Sequence, residues 1–149
     1  QRKRVPYKDF GYVEHRFLQH PVYEYRFLGI QNEEGGMKSF MVLREERYDG
    51  AKICKIVDFY GPYEEIIDTA SEMYRFVDEN HYEFMDIYCY GVPEKYLFTA
   101  GFSWCKEEEA IIPNHFAPFE QKNTDIYFAT SLWGQLDVFR GDADQDRPS

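Results

Sequence analysis

Three aspartates at alternate positions, Asp142, Asp144 and Asp146, are the first candidates for chemistry in the segment VFRGDADQDRPS. Their spacing is that of the first ligands of a calcium loop, which also needs glycine at its sixth position and a bidentate glutamate at its twelfth. Arg147 stands at the sixth position instead. We therefore expect an ordered, metal-free tail whose carboxylates accept bonds from backbone amides or pair with Arg140 and Arg147. Contact with a polar substrate group is the alternative.

Other potentially reactive side chains are isolated in the sequence. His115 lies between two prolines in IPNHFAPFEQ, and its ordinary pKa of about 6.5 suits proton transfer, with a solvated loop histidine as the alternative. Cys105 has no evident charged partner, which favours a buried structural cysteine. Ser103 lacks the Gly-x-Ser-x-Gly turn of serine hydrolases. His20 precedes Pro21 and is interpreted as a structural entry into the first strand.

The composition excludes several classes of partner. A formal net charge of -10, from 27 acidic and 17 basic residues, disfavours general nucleic-acid binding. The 3 cysteines form no CxxC pair, which predicts reduced thiols and no zinc site. No apolar run reaches the roughly 20 residues that cross a bilayer. The sequence thus predicts a cytoplasmic protein with no membrane insertion and no metal.

Periodicity predicts one α+β domain over residues 1–149. Strand patterns with turn signals between them, including Asp49-Gly50, are followed by a proline and two acids that predict a helix start. The predicted order is strands at 22–30, 38–46 and 52–61, a helix from Pro62 to Asn80, a strand at 82–90, a short helix at 93–101, and strands at 123–131 and 135–139.

This order, with EHRFLQHPVYEYRFLGI at 14–30 and the closing FRGDADQDRPS, resembles a branch of GNAT acyltransferase-like proteins from bacterial surface-polysaccharide gene clusters. Fem-type aminoacyltransferases are more distant relatives of that fold. The resemblance implies a mixed, mainly antiparallel twisted sheet flanked by helices, starting near the second strand of the fold. Because the sequence begins abruptly at Gln1, we expect the C-terminal part of a longer parent, with a missing N-terminal domain as partner.

The resemblance also implies a place for acetyl-coenzyme A or another acyl-coenzyme A. In GNAT enzymes the acyl donor lies between the strand before the long helix and the strand after it. Backbone groups of Val57, Asp58 and Phe59 would pair with the pantetheine arm. Amides near Gly61 and Tyr63, at the helix start, would hold the pyrophosphate.

Three side chains would carry the reaction that the resemblance implies. Tyr96, on the short helix, would protonate the departing thiolate, and Asp58 or His115 would take the amine proton. A tyrosine that packs its ring is the alternative for Tyr96, and a turn or capping residue is the alternative for Asp58.

The expected activity is N-acyl transfer to a small-molecule amine, an amino sugar or sugar nucleotide, in surface-polysaccharide biosynthesis. The family's pyrophosphate loop, Gln/Arg-x-x-Gly-x-Gly/Ala, is replaced by FYGPYEE, in which Pro62 removes an amide and Glu64 and Glu65 repel phosphate. This departure favours a non-catalytic binding module as the alternative. Fem-type aminoacyl transfer needs no such loop but conflicts with the net charge of -10.

Overall fold

The computed structural model describes residues 5–105, 123, 127–132 and 134–142. Its main sheet has four strands in the order β1-β2-β3-β4, with β1 at Tyr25–Gln31, β2 at Met37–Tyr48, β3 at Ala51–Tyr60 and β4 at Met85–Ile87. The first three strands pair antiparallel, and β4 pairs parallel to β3. The predicted α+β class with a mainly antiparallel sheet is confirmed.

Short helices and a second, two-stranded sheet complete the described fold. They are α1 at Phe10–Val13, a π-helical turn at Glu14–Leu18, α2 at Glu65–Asp68, α3 at Ala70–Glu79, β5 at Cys89–Tyr90, α4 at Glu94–Thr99, β6 at Val138–Phe139 and a 3-10 turn at Arg140–Asp142. The strands β5 and β6 pair antiparallel.

The predicted β2–β3 hairpin is confirmed at its turn. Asp49 and Gly50 have φ values of 47° and 85°. A two-residue turn with positive φ at both positions matches the twist of the strands that it joins.

The predicted helix start at Pro62 is wrong by three residues. The Glu65 amide donates to the Pro62 carbonyl and the Ile66 amide to the Tyr63 carbonyl, both at 3.1 Å. These bonds span three residues rather than four, so a tight turn precedes α2. The helix is interrupted at Thr69, whose hydroxyl donates to the Ile66 carbonyl at 2.7 Å, and it resumes as α3.

The predicted strand at 82–90 is also wrong as a single element. The chain forms β4, then leaves the main sheet at Tyr88, whose ring lies 4.2 Å from the Arg140 guanidinium carbon, and β5 pairs with β6 instead. The predicted strand at 22–30 starts only at Tyr25, because the amides of Val22 and Tyr23 donate to the His20 imidazole. His20 is therefore a structural turn residue, as predicted.

The two predicted C-terminal strands are largely absent from the described residues. Residues 127–131 have no regular strand structure, and 124–126 lie outside the described part. The predicted strand at 135–139 is reduced to β6, because Leu136 makes an isolated parallel bridge to Val5.

Two apolar clusters cover opposite faces of the main sheet. Met41 belongs to a cluster with Ile56 and Ile66, on the side of α2, α3 and α4. Its neighbour Val42 belongs to a cluster with Phe17, on the side of α1 and the π-helical turn. Consecutive strand residues point to opposite faces, so helices flank both faces of the sheet.

Candidate functional site

The parallel pairing of β3 and β4 ends after three residue pairs. The pairs are Cys54 with Met85, Lys55 with Asp86 and Ile56 with Ile87. Beyond them β3 continues to Tyr60, whereas the other strand turns away into β5. We call the region between the last four residues of β3 and β5 the strand split.

A β-bulge shapes β3 at the start of the strand split. Asp58 pairs with Val42 and Ile56 pairs with Leu43, so Val57 is an extra residue on β3. A bulge of this kind redirects the side chains that follow it.

Asp58 occupies the strand split as a completely buried carboxylate. The Lys8 ammonium donates to both of its oxygens, at 2.8 and 2.7 Å. The Phe59 amide donates to Oδ1 at 2.9 Å and the Tyr60 hydroxyl donates to Oδ2 at 3.1 Å. All the hydrogen-bonding capacity of a carboxylate is thus used inside the chain.

A second carboxylate shares the Lys8 ammonium. Asp142 Oδ2 accepts from Lys8 at 2.8 Å and from the Phe139 amide at 2.9 Å. Tyr12 donates to Asp142 Oδ1 over 3.5 Å. The predicted bond from a backbone amide to the tail aspartate is confirmed, and the cation beside it is Lys8 rather than Arg140.

Burial sets the protonation behaviour of this group. It raises the pKa of Asp58 to about 6, with Lys8 opposing the shift and Asp142 adding to it. Burial likewise raises the pKa of Tyr12 to about 12, and it also raises the pKa of Tyr60. Asp58 can therefore exchange a proton near neutral pH while both tyrosines stay protonated.

The raised pKa of Asp58 gives a testable dependence of stability on pH. Between its unfolded value of 3.8 and its folded value of about 6, the folded state keeps a proton that the unfolded state releases. The contribution of Asp58 is therefore fully present below pH 3.8 and is lost as the pH rises through about 6. We expect the wild-type free energy of unfolding, minus that of Asp58→Asn, to fall by about 2 kcal/mol from pH 4 to pH 7. Urea unfolding of both proteins at each pH measures this difference, and a difference that rises with pH would contradict the prediction.

A second buried ionic group fixes the C-terminal turn to the sheet. Asp86 accepts from Lys55 at 3.1 Å and from Arg140 at 2.7 Å. Burial lowers the pKa of Lys55 to about 8, and the Asp86 carboxylate opposes that shift. Arg140, predicted to pair with tail aspartates, instead pairs with Asp86, because β6 brings it to the parallel pair.

Most of the residues assigned to the acyl donor are buried. Val57 is fully buried, and Phe59 and Tyr63 are 4% and 8% exposed. A Cβ atom on Gly141 would lie 3.2 Å from the Val57 carbonyl oxygen. At Gly61, which has a φ of 126°, a Cβ atom would lie 2.5 Å from Ser39 Cβ, so this turn requires glycine.

The helix start is also committed to internal contacts. The amides of Glu65, Ile66 and Ile67 donate to carbonyls three residues earlier. The Glu65 carboxylate is buried and lies 2.6 Å from the Lys38 ammonium. The amides at 65–67 and the Lys38 ammonium therefore already have partners within the chain.

Tyr96, the other predicted catalytic residue within the described part of the chain, makes no hydrogen bond with Asp58. Tyr96 lies on α4, packs against the first apolar cluster and has the Lys95 ammonium 4.7 Å from its ring centre. The hydrogen-bond partners of Asp58 are Lys8, Phe59 and Tyr60. His115 lies outside the described residues, as do Asp144, Asp146 and Arg147.

Sequence reasoning missed Lys8, Tyr12 and Asp86. Each contacts residues far away in the chain; Lys8 and Asp142, for example, are 134 positions apart. An isolated lysine in VPYKDF carries no spacing signal, so no local pattern identifies this contact.

Across the described residues, no group of three or more His, Cys, Asp or Glu side chains is placed to hold a metal ion. In the same part of the chain, every helix is too short or too polar to cross a membrane. Comparison with protein-family models, with curated proteins and with solved structures finds no match to this chain.

Proposed function

We propose that this chain is a GNAT-type domain that transfers an acyl group from acyl-coenzyme A to a small-molecule amine. The acceptor class is an amino sugar or sugar nucleotide of surface-polysaccharide biosynthesis, and a cytoplasmic location belongs to the same proposal. The observation that carries it is the strand split. The strand β3 is the third strand of an antiparallel meander, and its parallel pairing with β4 ends after three residue pairs. The resemblance assigns the acyl donor to a gap between two strands of this kind.

Asp58 is the candidate base in this proposal. A general base works best when its pKa lies near the operating pH, and the pKa of Asp58 is raised to about 6 by burial. Its position just after the bulge places a proton acceptor at the start of the strand split. In the proposal it takes the proton of the attacking amine at a carboxylate oxygen.

The arrangement described does not fit acyl-coenzyme A without movement. The Phe59 amide donates to Asp58, the Arg140–Asp142 turn packs on Val57, and Lys8 occupies both Asp58 oxygens. The proposal therefore requires the 3-10 turn and Lys8 to leave the strand split before a donor binds.

A second candidate, a non-catalytic GNAT-shaped binding module, is favoured by this closure. A buried carboxylate at Glu65 stands where a pyrophosphate would lie, and like charges repel strongly at a poorly solvated position. In this candidate the ionic contacts are structural and Asp58 has no substrate.

A thiol-release assay with acetyl-coenzyme A and a panel of amino sugars and sugar nucleotides separates the two candidates. Acyl transfer predicts thiol release that depends on both the acyl donor and the amine. A rate equal to that without protein, for every amine in the panel, would reject acyl transfer to this class and favour the binding module over it.

A further inference from the structure

The Lys8 ammonium has a complete set of partners inside the fold. Its three protons face three carboxylate oxygens, two on Asp58 at 2.8 and 2.7 Å and one on Asp142 at 2.8 Å. A primary ammonium has three donors, and all three are satisfied here. The Lys8 side chain is only 10% exposed, which is rare for an unmodified lysine unless it is paired.

Aromatic rings enclose the same ammonium. The ring centres of Tyr12 and Tyr60 each lie 5.8 Å from Lys8 Nζ, and that of Phe139 lies at 5.4 Å. A cation within about 6 Å of a ring centre is attracted by the electron density of the ring, most strongly where water is excluded. The rings and the two carboxylates therefore favour a cation at this position.

The negative charges of the site also favour a cation there. Asp58 and Asp142 present two carboxylates to the one ammonium of Lys8. Without the ammonium, the buried Asp58 carboxylate would face that of the partly exposed Asp142, and two like charges so close together disfavour ionisation of both. The site is therefore built around a cation and not around a neutral group.

Hydrogen bonds to the residues around β6 hold the Lys8 segment over the strand split. Val5 donates to the Gln135 carbonyl at 3.1 Å and accepts from the Asp137 amide at 3.0 Å. The Arg16 side chain donates to the Gly141 carbonyl from Nε at 3.2 Å and from Nη2 at 3.0 Å. The segment before β1 thus holds the residues that close the split.

We propose that Asp58, Asp142 and the three surrounding rings form a site selective for a primary ammonium group, with Lys8 as its internal ligand and a plug of the strand split. The inference rests on these contacts and does not require acyl transfer. When Lys8 is replaced by a smaller residue, the empty site should bind a primary alkylammonium ion.

The test is chemical rescue of Lys8→Ala. This substitution removes the atoms of a propylammonium ion, so propylammonium chloride is the probe. We expect Lys8→Ala to lower the melting temperature by about 10 °C and 50 mM propylammonium to restore at least half of that loss. Sodium chloride and tetramethylammonium chloride at the same ionic strength should restore much less, because neither ion donates hydrogen bonds.

Lys95→Ala is the matched control, since Lys95 is exposed on α4 and lies on the Tyr96 ring. Its melting temperature should not respond selectively to propylammonium. An unchanged melting temperature for Lys8→Ala, or equal effects of the three salts on it, would overturn the proposal. The experiment uses no acetyl-coenzyme A, so it tests the ammonium site separately from the proposed acyl transfer.

Labelling of the intact protein tests the plug if Lys8→Ala does not fold. Acetylation by an N-hydroxysuccinimide ester, followed by mass spectrometry of peptides, gives a rate for each lysine. We expect Lys8 to react at least about tenfold more slowly than Lys95, because reaction requires local opening of the segment. Equal rates would overturn the proposal.

Discussion

Replacement of Asp86 by alanine is expected to lower the free energy of unfolding by about 3–5 kcal/mol. Asp86 is 5% exposed and pairs with the fully buried Lys55 and the nearly buried Arg140. Removing the carboxylate takes away the counter-charge that two buried cations share, and loss of one partner of a buried ion pair is strongly destabilising. Chemical denaturation at pH 7 measures the loss.

The exposed Asp78 on α3 supplies the control for this substitution. Asp78→Ala should change stability by less than about 0.5 kcal/mol, as surface substitutions usually do. A loss below about 1 kcal/mol for Asp86→Ala would contradict a buried ionic group that fixes β6 to the parallel pair. Asp86→Asn should fall between the two, because the amide keeps one acceptor but no charge.

Replacement of Asp58 by asparagine is expected to lower the turnover of acyl transfer by at least about 100-fold. Asparagine keeps the size of the side chain and an acceptor for the Phe59 amide, but it cannot take a proton from an amine. In the wild type, kcat/KM should rise as the pH increases through about 6, because the base acts only when deprotonated. In the variant this rise should disappear.

Asp78→Asn serves as the control, because it makes the same chemical change at an exposed position. Its turnover should equal that of the wild type. Melting temperatures of both variants must be measured alongside, so that lost activity is not confused with unfolding. Full activity in a folded Asp58→Asn protein would show that Asp58 is not the base and that its role is to pair with Lys8.

Local patterns predicted the parts of the fold that depend on neighbouring residues. Asp49-Gly50 identified the β2–β3 turn because positive φ values at both positions favour these residue types. Turn signals on either side identified β2 and β3, whose consecutive apolar residues are buried on both sheet faces by the two apolar clusters. These features are decided within a few residues of chain.

The strand split and its ionic contacts could not be predicted in the same way. Asp86 in β4 pairs with Arg140, which is 54 positions away in the chain. Asp58 was selected through a resemblance, but its partner Lys8 is 50 positions away and has no motif. Long-range ion pairs of this kind depend on tertiary packing, which no spacing rule encodes.

The most direct test of the account follows the Phe59 amide during titration with acetyl-coenzyme A. This amide donates to Asp58 Oδ1 at 2.9 Å within the strand split, so a ligand there must alter its surroundings. In nuclear magnetic resonance spectra of the labelled protein, we expect saturable shifts at Val57, Asp58 and Phe59, with the exposed β2–β3 turn at Asp49 unaffected. If saturating acetyl-coenzyme A leaves the chemical shifts of all three amides unchanged, the strand split is not the site of acyl transfer.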